Sequence, residues 1–128
     1  MHAFKYHRPS SVNDAAALLK GEAKLLAGGQ SLVQAMKLRL ASPSDIVDLG
    51  TIKELAGIKS DGKSVTVGAM TRHAEVSHSA EVKKAIPALA ALAAMIGDRQ
   101  VRAMGTCGGA IANNDPAADY PAAVLALN

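Results

Sequence analysis

Over the first fifty positions, apolar residues recur in two alternating rhythms. Phe4-Lys5-Tyr6-His7-Arg8 alternates weakly and stops at Pro9, which predicts a short strand. Val12, Ala15, Ala16 and Leu19 follow at helical spacing, so a helix is expected over 12–20. Ser10 or Ser11 would cap it and Gly21 would stop it. Lys24 to Ala27 reads as a second strand, expected to be buried. Leu32, Val33, Ala35 and Met36 then predict a helix over 32–39, ended ahead of Pro43. Asp45-Ile46-Val47-Asp48-Leu49 is a third strand. Strands alternating with helices give a βαβαβ unit with parallel pairing.

The rhythm changes near residue 52. Thr51-Ile52-Lys53-Glu54 predicts a single capped turn. Leu55–Ser60 and Ser64–Gly68 read as two strands joined at Asp61-Gly62, a hairpin dipeptide, so the second part begins antiparallel. Short helices are expected over 71–76 and 79–85. A longer one opens at Pro87 and runs to Ile96, with Ile86, Leu89, Leu92, Ala93 and Ile96 as its apolar stripe. Arg99–Ala103 reads as an irregular stretch or a turn. Thr106–Asp119 reads as a glycine-rich loop, ahead of a last helix over Pro121–Leu127.

Composition narrows the functional classes. The 128 residues are 49% hydrophobic but only 2% aromatic, so there are few rings on which nucleic-acid bases could stack. The formal charge is +3 and the basic residues are dispersed, which favours ordinary solvated faces over a nucleic-acid stripe. Arg99 and Arg102 are expected in solvent or against another subunit. The run Ile86–Gly97 is too short to span a bilayer. The N-terminus has no apolar core of a secretory signal, and Cys107 is the single cysteine. A cytoplasmic protein is the expectation.

Two glycine pairs carry the candidate chemistry. Leu25-Leu26-Ala27-Gly28-Gly29-Gln30-Ser31-Leu32 passes from strand to helix through a turn without side chains, where a ligand can approach the backbone. Ser31 followed by Gln34 fits a capping box, and a helix start favours phosphate. The second pair lies in Gly105-Thr106-Cys107-Gly108-Gly109-Ala110, followed by Asp115-Pro116-Ala117-Ala118-Asp119. Asp115 is read as a helix cap, and Asp119 as a carboxylate for sugar hydroxyls. Cys107 has no evident helix start beside it and is read as a small buried hydrophobe. His73 and His78 lack the spacing of paired metal ligands, so no metal site is assigned. Asp115 and Asp119, four apart, are read as a cap and a ligand contact rather than as an acid–base pair.

These motifs, taken in order, resemble the FAD-binding medium subunit of molybdenum hydroxylases, represented by carbon monoxide dehydrogenase and the flavin domain of xanthine dehydrogenase. The resemblance rests on Ala27-Gly28-Gly29-Gln30-Ser31-Leu32, Met36-Lys37-Leu38-Arg39, Thr71-Arg72-His73-Ala74-Glu75, Gly97-Asp98-Arg99-Gln100-Val101-Arg102, Gly105-Thr106-Cys107-Gly108-Gly109 and Asp115 to Asp119. It covers the chain in the family's order.

The resemblance implies an α/β (α+β) fold of two subdomains with FAD between them. Residues 1–51 would form a βαβαβ piece, and 52–128 a mixed piece with antiparallel strands, truncated at its C-terminal end. It implies that Leu25, Leu26, Ala27, Gly28, Gly29, Gln30, Ser31 and Leu32 wrap the pyrophosphate. Thr106, Cys107, Gly108, Gly109 and Ala110 would touch the pyrophosphate and ribityl region. Asp119 would contact the flavin chain, and Ile96 sits where some relatives place a flavin-contacting aromatic. Ala110 departs from the Ser or Asn of many relatives, and Cys107 replaces an aliphatic. The implied role is an oxidoreductase subunit in a hetero-oligomer. It would take electrons from an iron–sulfur small subunit, beside a molybdenum-cofactor large subunit, and pass them to a nicotinamide or quinone. The competing reading is a non-redox subunit-interaction module without flavin.

Overall fold

The computed structural model describes residues 1–127, which form two compact units, one over Met1–Lys53 and one from Glu54 onwards.

The first unit contains β1 (Lys5–His7), α1 (Val12–Leu18), β2 (Lys24–Leu26), α2 (Leu32–Lys37) and β3 (Asp45–Asp48). The three strands form one parallel sheet in the order β1-β3-β2. Parallel pairing is what the alternation of strand and helix predicts. The central strand carries the burial: Ile46 is 2% exposed and Val47 is fully buried. The outer strands do not follow the expectation of burial. Leu25 of β2 is 43% exposed, because an edge strand has a neighbour on one side only. Polar pairs join β1 to β3. His7 Nε2 lies 2.7 Å from Asp45 Oδ1, the Tyr6 hydroxyl donates to Asp48, and Arg8 Nε lies 3.4 Å from the same carboxylate.

Both helices of this unit are shorter than expected, and their ends explain why. Ser11 caps α1 by accepting from the Asp14 amide at 3.1 Å, and the helix gives way at Leu19. After α2 the Leu40 amide donates to Ala35 O at 2.8 Å and the Arg39 amide to Met36 O at 3.1 Å. This paired closure needs a left-handed residue just past the helix, a place glycine usually takes. Here Arg39 takes it, at φ 58°.

The second unit opens with a 3-10 turn (Lys53–Leu55), one residue later than expected at its end. A hairpin follows, β4 (Ile58–Ser60) with β5 (Val65–Val67), antiparallel and in register Lys59 with Thr66. Asp61 Oδ1 accepts from the Lys63 and Ser64 amides at 2.8 and 2.6 Å, and Gly62 takes φ +83°, as the Asp-Gly turn predicts. Leu55 stands outside the strand because Gly57 turns the chain at φ +108°.

Six helices complete the unit: α3 (His73–His78), α4 (Ala80–Ala85), α5 (Pro87–Met95), α6 (Arg99–Met104), α7 (Cys107–Asn113) and α8 (Asp119–Leu127). Pro87 occupies the first turn of α5, where its missing N–H costs nothing. The core is Val76, Val82, Ala90, Ala93 and Tyr120, with Leu89, Leu92 and Ile96 packed against it. Leu89, Leu92, Ala93 and Ile96 of the expected α5 stripe therefore belong to the core, with Ala90 added, while Ile86 is half-buried outside that cluster.

Two departures matter for the site. The stretch Arg99–Ala103, read as irregular or as a turn, is the regular helix α6, capped by Asp98 accepting from the Val101 amide at 2.8 Å. The segment read as a second glycine loop is largely helix α7, capped by Thr106 accepting from the Gly109 amide at 3.1 Å.

Candidate cofactor-binding segments

Leu25 and Leu26 end β2, and the chain then turns through Gly28 and Gly29 into α2. Gly29 adopts φ +72°, and a Cβ there would meet Val33 Cγ2 at 3.0 Å. Only glycine fits both the conformation and the space. Ser31 does not cap α2 as the capping-box pattern suggested: its backbone is already helical and its side chain makes no cap bond. Gln30 instead turns back, its Nε2 donating to Gly28 O at 3.2 Å.

The backbone amides of Gly28, Gly29, Gln30, Ser31 and Leu32 donate to no acceptor among the described residues, whereas the Val33 amide bonds Gly29 O at 3.2 Å. Five consecutive unpaired donors, on a turn that carries no side chain at its first two positions, are a donor set of the kind that accommodates an anion. The donor set matches a pyrophosphate: several N–H groups, no carboxylate and no bulk.

The second pair behaves in the opposite way. Cys107 N donates to Thr71 O at 2.9 Å, Gly108 N to Ala69 O at 2.9 Å, and Gly109 N to Thr106 Oγ1. The donors that open α7 are already satisfied. Gly108 is required by contact rather than by backbone angle. A Cβ on it would lie 2.6 Å from the Ala69 Cβ and 2.7 Å from the Ala69 carbonyl oxygen. What residues 106–110 offer a ligand is a surface of small side chains, Ala110 included.

Cys107 stands at the first position of α7, so the expectation that it has no helix start beside it is corrected. Its second part holds: Cys107 packs against the core, and burial pushes its thiol up. Tyr120 is its neighbour, close enough for the two groups to influence each other. The Tyr120 hydroxyl nevertheless has no formed hydrogen bond, and burial followed by the charge of Cys107 raises the phenol far above its ordinary range.

Ile96 ends α5 in an extended conformation. It is held from behind: Arg102 Nη1 donates to Ile96 O at 3.1 Å and to Gly97 O at 2.9 Å. Arg102, which is partly exposed, thus bonds backbone of its own chain, a contact that the expectation of a solvated or inter-subunit side chain did not include. Asp119 opens α8 with an exposed carboxylate that accepts no hydrogen bond among the described residues. Asp115 caps its own turn, accepting from the Ala117 amide at 2.8 Å, rather than the helix itself. No group of three His, Cys, Asp or Glu side chains that could hold a metal ion occurs among the described residues. No helix there is long and apolar enough to cross a membrane.

Sequence reasoning placed Thr71 in a motif without giving it a role, and did not foresee the backbone bonds of Arg102. Thr71 has no signature of its own in the sequence, and its importance comes from partners distant along the chain.

Residues 2–128 match the family described as the FAD binding domain in molybdopterin dehydrogenase. The chain belongs to that family. Among its relatives, the carbon monoxide dehydrogenase medium chain of Hydrogenophaga pseudoflava is 46% identical over 127 residues, covering 97% of this chain and 44% of the relative. The glyceraldehyde dehydrogenase medium chain of Sulfolobus acidocaldarius is 42% identical over 127 residues, 98% of this chain and 45% of the relative. The structure of carbon monoxide dehydrogenase from Hydrogenophaga pseudoflava that lacks the Mo-pyranopterin moiety superposes with a TM-score of 0.91 at 48% identity. That match covers 94% of this chain and 43% of the other. Quinoline 2-oxidoreductase from Pseudomonas putida 86 gives a TM-score of 0.89 at 36% identity, over 93% of this chain and 42% of the other. The mixed fold expected from the sequence is the fold of these proteins. The chain spans less than half the length of the relatives it matches.

Proposed function

We propose that this chain is the FAD-binding part of an electron-transfer subunit in a molybdenum-containing hydroxylase or dehydrogenase of the cytoplasm. Leu25 to Leu32 would hold the pyrophosphate. Thr106 to Ala110, Ile96 and Asp119 would supply further contacts to FAD. In this reading residues 1–51 and 52–128 are its two FAD-binding subdomains.

The observation that carries this reading is the run of unpaired amides from Gly28 to Leu32. Bound flavin supplies the electron-accepting chemistry, and the protein supplies placement and electrostatics. In this turn Gly29 keeps the approach free of a side chain, and the start of α2 leaves its first amides unpaired. The thiol of Cys107 is held protonated by burial and takes no part. Electrons would come from iron–sulfur clusters of a small subunit, beside a large subunit carrying the molybdenum cofactor, and would leave to a nicotinamide or quinone. The names of the relatives, medium chains and medium subunits of dehydrogenases and hydroxylases, support that assignment.

Titration of the purified chain with FAD tests it, followed by flavin fluorescence. Saturable uptake by the parent is expected, with its loss in Gly29→Val. Equal uptake by that variant would remove the pyrophosphate from this turn. A parent that takes up no FAD, yet associates with an iron–sulfur subunit, would make the chain an interaction module instead.

A further inference from the structure

The motif Thr71-Arg72-His73 makes no part of the proposed cofactor contacts, yet the structure gives it a dense set of bonds. Thr71 is fully buried. Its hydroxyl donates to Gly57 O at 2.9 Å and accepts from Gly57 N at 3.0 Å, so one side chain satisfies both backbone groups of a single residue. Its own carbonyl accepts from Cys107 N at 2.9 Å, the first amide of α7. On either side, Ala69 O accepts from Gly108 N at 2.9 Å, and His73 N donates to Gly105 O at 3.0 Å. Arg72 and Thr106 form an isolated antiparallel bridge between these bonds.

Residues 69–73 therefore lie as a strap along the start of α7. The glycines of the facing segment let it lie so close. A Cβ on Gly105 would sit 2.7 Å from His73 Nε2, and one on Gly108 would meet Ala69. The strap is anchored at its centre. Without the Thr71 hydroxyl, the Gly57 N–H would lose its partner. Gly57 O would keep the Gly68 amide at 2.8 Å and Leu55 O the Met70 amide at 2.7 Å, so the hydroxyl is the side-chain bond between the strap and Gly57.

We infer that Thr71 is a positioning residue: by locking Gly57 it sets the strap that aims Thr106 to Ala110. The link from strap to ligand rests on the proposed contact of those residues with FAD. The strap itself does not depend on it.

Two variants test this. Thr71→Val keeps the shape and removes the hydroxyl, and Thr71→Ser restores the hydroxyl. In amide hydrogen exchange of the chain without flavin, Thr71→Val should speed exchange at Gly57, Cys107 and Gly108 at least tenfold while α5 amides hold the parent's rates. Thr71→Ser should stay within threefold of the parent. Unchanged exchange at Cys107 and Gly108 in Thr71→Val would overturn the inference. In FAD titration, Thr71→Val should weaken binding at least tenfold and Thr71→Ser should restore it. Parent-like binding by Thr71→Val would sever the strap from the ligand. If the parent takes up no FAD, the functional reading fails and the exchange data alone decide the strap. If Thr71→Val does not fold, exchange in the parent under rising urea replaces it. Gly57 and Cys107 should then open with one common urea dependence, and separate openings would overturn the inference.

Discussion

The His73 and Tyr120 rings stack with their centroids 5.3 Å apart and an interplanar angle of 28°. His73 opens α3 and Tyr120 lies in the first turn of α8, so the stack ties the strap to the helix that carries Asp119. His73 Nδ1 is buried and has no hydrogen-bond partner. Burial holds the imidazole below its ordinary pKa, and the Asp119 carboxylate pulls the other way with a smaller effect.

A pH dependence follows from that depressed value. Unfolded His73 takes up a proton as pH falls through about 6.5, the ordinary histidine value, while the folded ring resists until lower pH. The unfolded state therefore binds more protons in that window, and stability falls as pH falls. Above the window the penalty is absent. The urea midpoint should drop between pH 7.5 and pH 5.5, and His73→Phe, which keeps a stacking ring without a titrating group, should drop less. Equal slopes in the two proteins would remove His73 as the cause.

Gly108 makes a prediction opposite in sign to helix propensity. Alanine is favoured over glycine inside a helix by about 1 kcal/mol. Here the added methyl would collide with Ala69, which is backbone-bonded to Gly108 and cannot withdraw without breaking that bond. Overpacking of this kind costs about 1–3 kcal/mol. Gly108→Ala should therefore lower the stability measured by urea denaturation. A gain would mean that the strap and α7 are farther apart than described.

Cys107 should be a poor nucleophile despite its place at a helix start. Its thiol is half-buried and its pKa raised, so the thiolate that reacts is scarce at neutral pH. Iodoacetamide at pH 7.5 should modify the folded chain far more slowly than the chain in urea, as read by mass spectrometry. Comparable rates would contradict the packing around Tyr120.

Much of the fold was legible because its signals are local. Pro9, Pro43 and Pro87, the Asp61-Gly62 turn and the alternation around Ile46 each act within a few residues. The element ends were less legible. Arg39 closes α2 in a conformation usually left to glycine, and no residue type announces that. The two glycine pairs show the boundary most clearly. Gly28-Gly29 was readable as a ligand turn because strand, turn and helix follow one another directly. Gly108-Gly109 resembles it in sequence but lies in a helix, and its amides are satisfied by Ala69 and Thr106. The bond from Gly108 to Ala69 spans a long stretch of chain, and no periodicity reports it. Arg102 differs: its partners Ile96 O and Gly97 O lie six and five residues away, and the bonds depend on the turn at Gly97, φ +48°, between α5 and α6.

The sheet order β1-β3-β2 has a consequence for how copies of the chain meet. Within that sheet each outer strand keeps one row of peptide groups without a strand partner, and such rows can template pairing with another molecule. Lys5 begins β1 and Lys24 begins β2, and both are exposed. A positive charge at the head of each open edge repels an identical edge. Such charges disfavour strand-to-strand self-association, and Lys24 stands directly ahead of Leu25, where the proposed pyrophosphate segment begins.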